Sequence, residues 1–159
     1  MARILAALLG LFLSATCLAG EADYRPGGAR FAKAWHAFYD LGDHEPELDD
    51  PLILAGPAMA PYICVAVSHK DMKLRRYAIS ALGYIRDPSA LACLEPILKD
   101  SQELDYFRGD ALQSIFMIDN ALGESLAREF GTDNSYLEFT AGLIRRREPR
   151  LFSTGLGEP

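Results

Sequence analysis

His36, Asp40 and His44 recur every four residues, a spacing that on one continuous helix would put two imidazoles and a carboxylate on one face as metal ligands. Gly42 breaks that helix between Asp40 and His44, so the trio reads as the polar side of a helix running into an acidic loop. In that loop His44, Glu45, Glu47, Asp49 and Asp50 carry oxygen donors enough for calcium, without the Asp-x-Asp-x-Asp-Gly order of an EF-hand. Nucleophilic chemistry needs a base within reach and a group to orient it. Ser68 and His69 are adjacent and lie on different sides of a helix, and Cys64 stands five residues from His69 instead of one turn. Neither a Gly-x-Ser-x-Gly elbow nor a phosphate-binding loop occurs. No catalytic, metal-binding or cofactor-binding residue is assigned, and neither an enzymatic activity nor a cofactor is expected.

Cys64 and Cys93 are the other reactive pair, and an oxidising compartment would let them join. Counting from the shared Lys70-Asp71 and Lys99-Asp100 ends puts them in register, whereas aligning Ile63 and Val67 with Leu94 and Leu98 throws them two places out. Neighbouring helices lie about 8–10 Å apart, and a disulfide needs Cα atoms closer than about 7 Å. Two unpaired, partly buried thiols are therefore expected in preference to a bridge.

The chain has 159 residues, half of them hydrophobic, which suits one compact domain. Arg3 leads into the apolar run 4–13, followed by small residues, the layout of a secretory signal peptide over residues 1–19 with Ala19 as the last residue removed. The apolar run is short for a membrane span, and Thr16 and Leu13 are misplaced for lipidation at Cys17. Loss of residues 1–19 takes Arg3 from the 16 basic residues against 22 acidic ones and leaves a net charge near −7. Such a balance disfavours nucleic acid and anionic membrane surfaces, and the basic residues are dispersed apart from 70–76 and 145–150. The mature protein is expected to be soluble, periplasmic or secreted, with no membrane insertion after signal cleavage.

Helical periodicity fills the rest. Residues 20–50 read as an extended lead-in, a capping helix over 29–41 with Phe31, Trp35, Phe38 and Tyr39 on its apolar side, and the acidic loop. Asp50 and Asp87 are capping residues followed by Pro51 and Pro88 at first helical positions. Helices are expected over 51–55, 57–68, 70–86, 87–99, 106–119, 121–130 and 134–147, with Pro96 inside the fourth and Arg145, Arg146 and Arg147 exposed in the last turn. The turn after Asp100 is four residues longer than its counterpart after Asp71. Residues 148–159 read as a flexible tail.

The segment 74–91 recurs, degraded, over 107–122. Arg75, Ala78, Ile79, Leu82 and Ile85 are matched 33 residues on by Arg108, Ala111, Leu112, Ile115 and Ile118. Together with Asp87-Pro88, Leu91, Leu94 and Leu98-Lys99-Asp100, this pattern resembles the HEAT-like repeats of the phycobilisome-lyase type. The resemblance covers roughly residues 51–130 and implies an all-α, right-handed α-α superhelix, a solenoid of helical hairpins over 51–147 behind an N-terminal capping helix. It also implies that Arg75 and Arg108 pair with acidic turn residues, here Asp71 or Asp105 and Asp100. Most proteins with such repeats are binding scaffolds.

The outward side of the second helices, opposite Met59, Ile63 and Val67, presents Pro61, Val65 and Ser68, and in the next repeat Ala92, Glu95, Pro96 and Lys99. Pro61, Val65, Ser68, Glu95, Pro96 and Lys99 are the expected partner-binding residues. The expected function is that of an exported, non-enzymatic scaffold binding another protein, in a sharper form a periplasmic inhibitor or immunity protein. The alternative is a lyase-like protein that handles a chromophore or another ligand.

Overall fold

The computed structural model describes residues 21–41, 50–130 and 135–147. The expected leader 1–19, the acidic loop from Gly42 to Asp49 with His44, and the tail 148–159 lie outside the described residues. Within them the chain is all-α, with no strand and one isolated parallel bridge, between Ala22 and Met72.

A short 3-10 turn, Gly28–Arg30, leads into α1, Ala32–Asp40, which buries Trp35, Phe38 and Tyr39. Asp50 accepts a hydrogen bond from the Leu52 amide at 2.8 Å, and Pro51, whose missing N–H costs nothing at a helix start, opens α2, Pro51–Leu54. Gly56 then turns the chain at φ +76°, and a 3-10 turn over Pro57–Met59 runs into α3, Ala60–Val67.

The helix expected from residue 70 starts five residues later: α4 is Arg75–Ile85, preceded by Leu74 in the left-handed region at φ 55°. Residues 71–73 serve a different purpose. The Ala22 amide donates to the Asp71 carbonyl at 2.8 Å and the Lys73 amide to the Ala22 carbonyl at 2.9 Å, so this backbone is spent on the lead-in. Asp87 caps the next turn by accepting from the Ser89 amide, and Pro88–Ala90 leads into α5, Leu91–Lys99, with Pro96 on its exposed side. α6 is Asp105–Ile118, α7 is Asn120–Glu129 with Asp119 as its cap, and α8 is Tyr136–Arg146 capped by Ser135.

α2, α4, α6 and α8 pack one against the next; α3 rests on α4 and touches α5, and α6 also packs on α5 and α7. Two repeated bonds fasten this arrangement. The Arg75 guanidinium donates from Nε to the Val67 carbonyl at 2.7 Å, and Arg108 Nε to the Leu98 carbonyl at 2.9 Å, each tying the end of one helix to the start of the next. The carbonyl and its arginine stand 8 residues apart after α3 and 10 after α5, while the turn between helices is longer after α3, 68–74, than after α5, 100–104, where the longer turn was expected. The acid that Arg75 meets is Glu103, at 2.8 Å with both side chains buried, and not Asp71 or Asp105. Asp71 instead receives the Tyr24 hydroxyl, Asp100 receives Lys70, and Asp105 accepts from the Tyr136 and Leu137 amides at the start of α8.

Cys64 and Cys93 are joined by a disulfide with Cα atoms 5.6 Å apart, which overturns the expectation of two free thiols. That expectation set an interaxial distance against a Cα distance. Each helix carries its Cα atoms on a cylinder of about 2.3 Å radius, so axes about 10 Å apart leave about 5.4 Å between facing Cα atoms. The register also fits. Burial repeats with an offset of 31, from Met59, Ile63 and Val67 to Ala90, Leu94 and Leu98. Cys64 follows the inward Ile63 and Cys93 precedes the inward Leu94, about 100° to either side. In helices running the same way these are the flanks that face each other, so the two-place offset is what a lateral bridge requires.

Candidate functional site

The side chains expected to bind a partner split across two neighbouring helices and stay outside the core. Pro61 and Val65 on α3, Ser68 just beyond it, and Pro96 and Lys99 on α5 are exposed, while Glu95 is half-buried. Val65 is 52% exposed and does not pack under the capping helix. The disulfide brings the two helices together beneath this face, and a salt bridge joins Lys99 to Glu95 along α5. The face carries two prolines and a valine beside the Ser68 hydroxyl, which donates to the Val65 carbonyl at 2.7 Å, and one neutralised ion pair.

The opposite row of helices carries a more distinctive arrangement that the sequence reading missed. Arg76 on α4 reaches Asp110 on α6 from Nε at 2.6 Å and from Nη2 at 3.3 Å, and Nη2 also donates to the Tyr136 hydroxyl on α8 at 2.9 Å. That hydroxyl in turn donates to Asp110 Oδ1 at 2.9 Å, closing a ring of bonds across α4, α6 and α8. The guanidinium lies 5.1 Å from the Tyr136 ring centre and 5.9 Å from that of Tyr106. Asp110 is 4% exposed, while the Arg76 side chain keeps 47% of its surface in solvent. Tyr106 and, one turn along α8 from Tyr136, Phe139 are exposed by 39% and 53%.

Burial pushes the Asp110 carboxyl above its ordinary range, with the Arg76 guanidinium and the Tyr136 hydroxyl acting against that rise. The same carboxylate raises Arg76 through its hydrogen bonds, and burial, then the charge of Asp110, raises Tyr136. The result is a guanidinium fixed in plane and bracketed by aromatic rings, a surface suited to recognition through stacking and directed donors. The sequence signal was nearly absent, because the partners stand 34 and 60 residues apart and none breaks the helical pattern.

His36 contacts Asp40 at the exposed end of α1, and His69 stacks on Tyr24 with ring centres 3.9 Å apart. Among the described residues no group of three or more His, Cys, Asp or Glu is placed to hold a metal ion, and no helix is long and apolar enough to cross a membrane. No protein-family model, curated protein or solved structure matches this chain significantly.

Proposed function

We propose that this protein is an exported, non-enzymatic helical-repeat scaffold that binds another protein, with its hairpins wound as a right-handed, HEAT-like α-α superhelix. Support for the repeat comes from the recurring arginine-to-carbonyl tie, Arg75 to Val67 and Arg108 to Leu98, and from the offset of 31 in burial between α3 and α5. The Cys64–Cys93 disulfide suits an oxidising compartment. One observation carries the binding role: the Arg76–Tyr136–Asp110 ring, with exposed Tyr106 beside it, presents arginine and tyrosine on a support already organised across three helices. Arginine and tyrosine dominate the energetics of protein interfaces, and prior organisation spares the entropy of fixing them on contact.

A narrower form makes the protein a periplasmic inhibitor or immunity protein of a secreted hydrolase, supported by its small size and net negative charge. Affinity capture of the tagged mature protein from the extracytoplasmic fraction of its own host is expected to recover one partner in one-to-one ratio. Tyr106→Ala and Phe139→Ala should then each weaken the purified complex by about 30-fold, the ~2 kcal/mol of a central aromatic anchor. Val65→Asp and Pro96→Asp report on the opposite face, Pro61 to Lys99. Recovery of no stoichiometric partner, or a complex indifferent to variants on both faces, would defeat the reading.

A further inference from the structure

The N-terminal part of the chain forms one end of the hydrophobic core that continues into α4 to α8. Phe31, Trp35, Phe38 and Tyr39 cluster with one another, Phe31 meets Tyr62 of α3 with ring centres 5.0 Å apart, and α1 packs on α2. The lead-in is strapped to α1 by the Trp35 indole donating to the Pro26 carbonyl at 2.8 Å and by paired bonds between the Tyr39 hydroxyl and the Tyr24 backbone. The rest centres on α6, which packs against α4, α5, α7 and α8. Between the two, α2 and α3 rest on α4, Ala22 bonds residues 71 and 73, and one covalent tie, Cys64–Cys93, crosses from α3 to α5.

From this placement we infer that Cys64–Cys93 is a redox latch: it fastens residues 21–41 and 50–67 to a body formed by α4 to α8, and its reduction releases those residues while the body stays folded. α3 has eight residues and α2 four, lengths that do not hold a helix in water without packing. With α4 and α5 still folded, opening the bridge frees the stretch between Cys64 and Arg75, and the chain entropy of that short loop favours the open form. Both cysteines are half-buried at the edge of the core and not sealed within it.

The chemistry is thiol–disulfide exchange with a dithiol reductant. Its thiolate attacks one sulfur and displaces the other cysteine as thiolate, giving a mixed disulfide. The reductant's second thiolate then attacks its own sulfur in that mixed disulfide and releases the remaining cysteine. The protein gains two electrons and two protons, and the reductant leaves as its disulfide. Closing the latch is the reverse, so the step that completes this fold belongs to the thiol-oxidising class of reactions.

The test is hydrogen exchange, read by mass spectrometry on the mature protein with and without dithiothreitol. On reduction, amides of α1, α2 and α3 are expected to lose protection by on the order of a hundredfold, while those of α6 and α8 change less than about threefold. The Cys64→Ser/Cys93→Ser variant should show the reduced pattern without reductant and should not respond to it. Protection unchanged everywhere on reduction, or lost together in α6 and α8, would overturn the latch, as would a double variant that exchanges like the oxidised protein or fails to fold at all.

Discussion

Asp110 lies almost out of reach of water and depends on Arg76 for its charge, so the two residues must be judged as a pair. Arg76→Met removes the guanidinium and leaves a buried carboxylate with the Tyr136 hydroxyl alone, at an expected cost on the order of 2–3 kcal/mol in urea unfolding at pH 7. The loss should shrink toward pH 4. Without Arg76 the folded-state pKa of Asp110 rises further above its unfolded value, so its contribution is kept at low pH and lost as pH climbs through the folded pKa. Adding Asp110→Asn to Arg76→Met should recover most of the loss. A single variant equally unstable at both pH values would show that Arg76 acts through packing instead.

Among the helices, α4 and α6 approach each other closely. A Cβ added at Gly83 would stand 2.9 Å from the Ser114 Cα, and the Ser114 hydroxyl donates to the Ile79 carbonyl at 3.0 Å across the same contact. Gly83→Ala gains helix propensity worth up to about 1 kcal/mol but must push α6 backbone away, so a net loss of about 1–2 kcal/mol is expected. A stabilised Gly83→Ala protein in thermal unfolding would mean that the two helices separate freely. Much of this level was legible beforehand. The period of Leu74, Ala78, Ala81, Leu82 and Ile85 places α4, and Asp50-Pro51 and Asp87-Pro88 mark where helical segments start. What escaped was set by distant partners. Ala22 draws residues 71–73 out of α4, a bond between positions about 50 apart in sequence, and the Arg76 ring joins helices that local periodicity treats separately. The Cys64–Cys93 bridge was readable in principle, since flanking the inward Ile63 and Leu94 on opposite sides is the geometry of a lateral link.

At the scale of the whole molecule, the start of the described chain is held against its middle by two tyrosines that must stay protonated. The Tyr39 hydroxyl donates to the Tyr24 carbonyl and accepts from the Tyr24 amide, both at 2.9 Å, and burial pushes it up to about 12. The Tyr24 hydroxyl donates to the Asp71 carboxylate, and that hydrogen bond raises it above its ordinary value too. A phenol whose folded pKa exceeds its unfolded value near 10 contributes stability that is complete below pH 10 and is lost as pH rises through the folded pKa. Urea unfolding between pH 8 and pH 12 is therefore expected to show a fall that begins near pH 10 and is still developing at pH 12. Tyr39→Phe should be less stable at pH 8 by about 1–2 kcal/mol, because the Tyr24 amide and carbonyl lose their partner. The same variant should lose less stability across the alkaline range, since one of the three phenols held above their ordinary value, Tyr24, Tyr39 and Tyr136, is gone. Parallel curves for the two proteins would mean that Tyr39 does not couple the strap to folding. Convergence toward pH 12 would place the closure of the chain's beginning over α1 under the control of that hydroxyl.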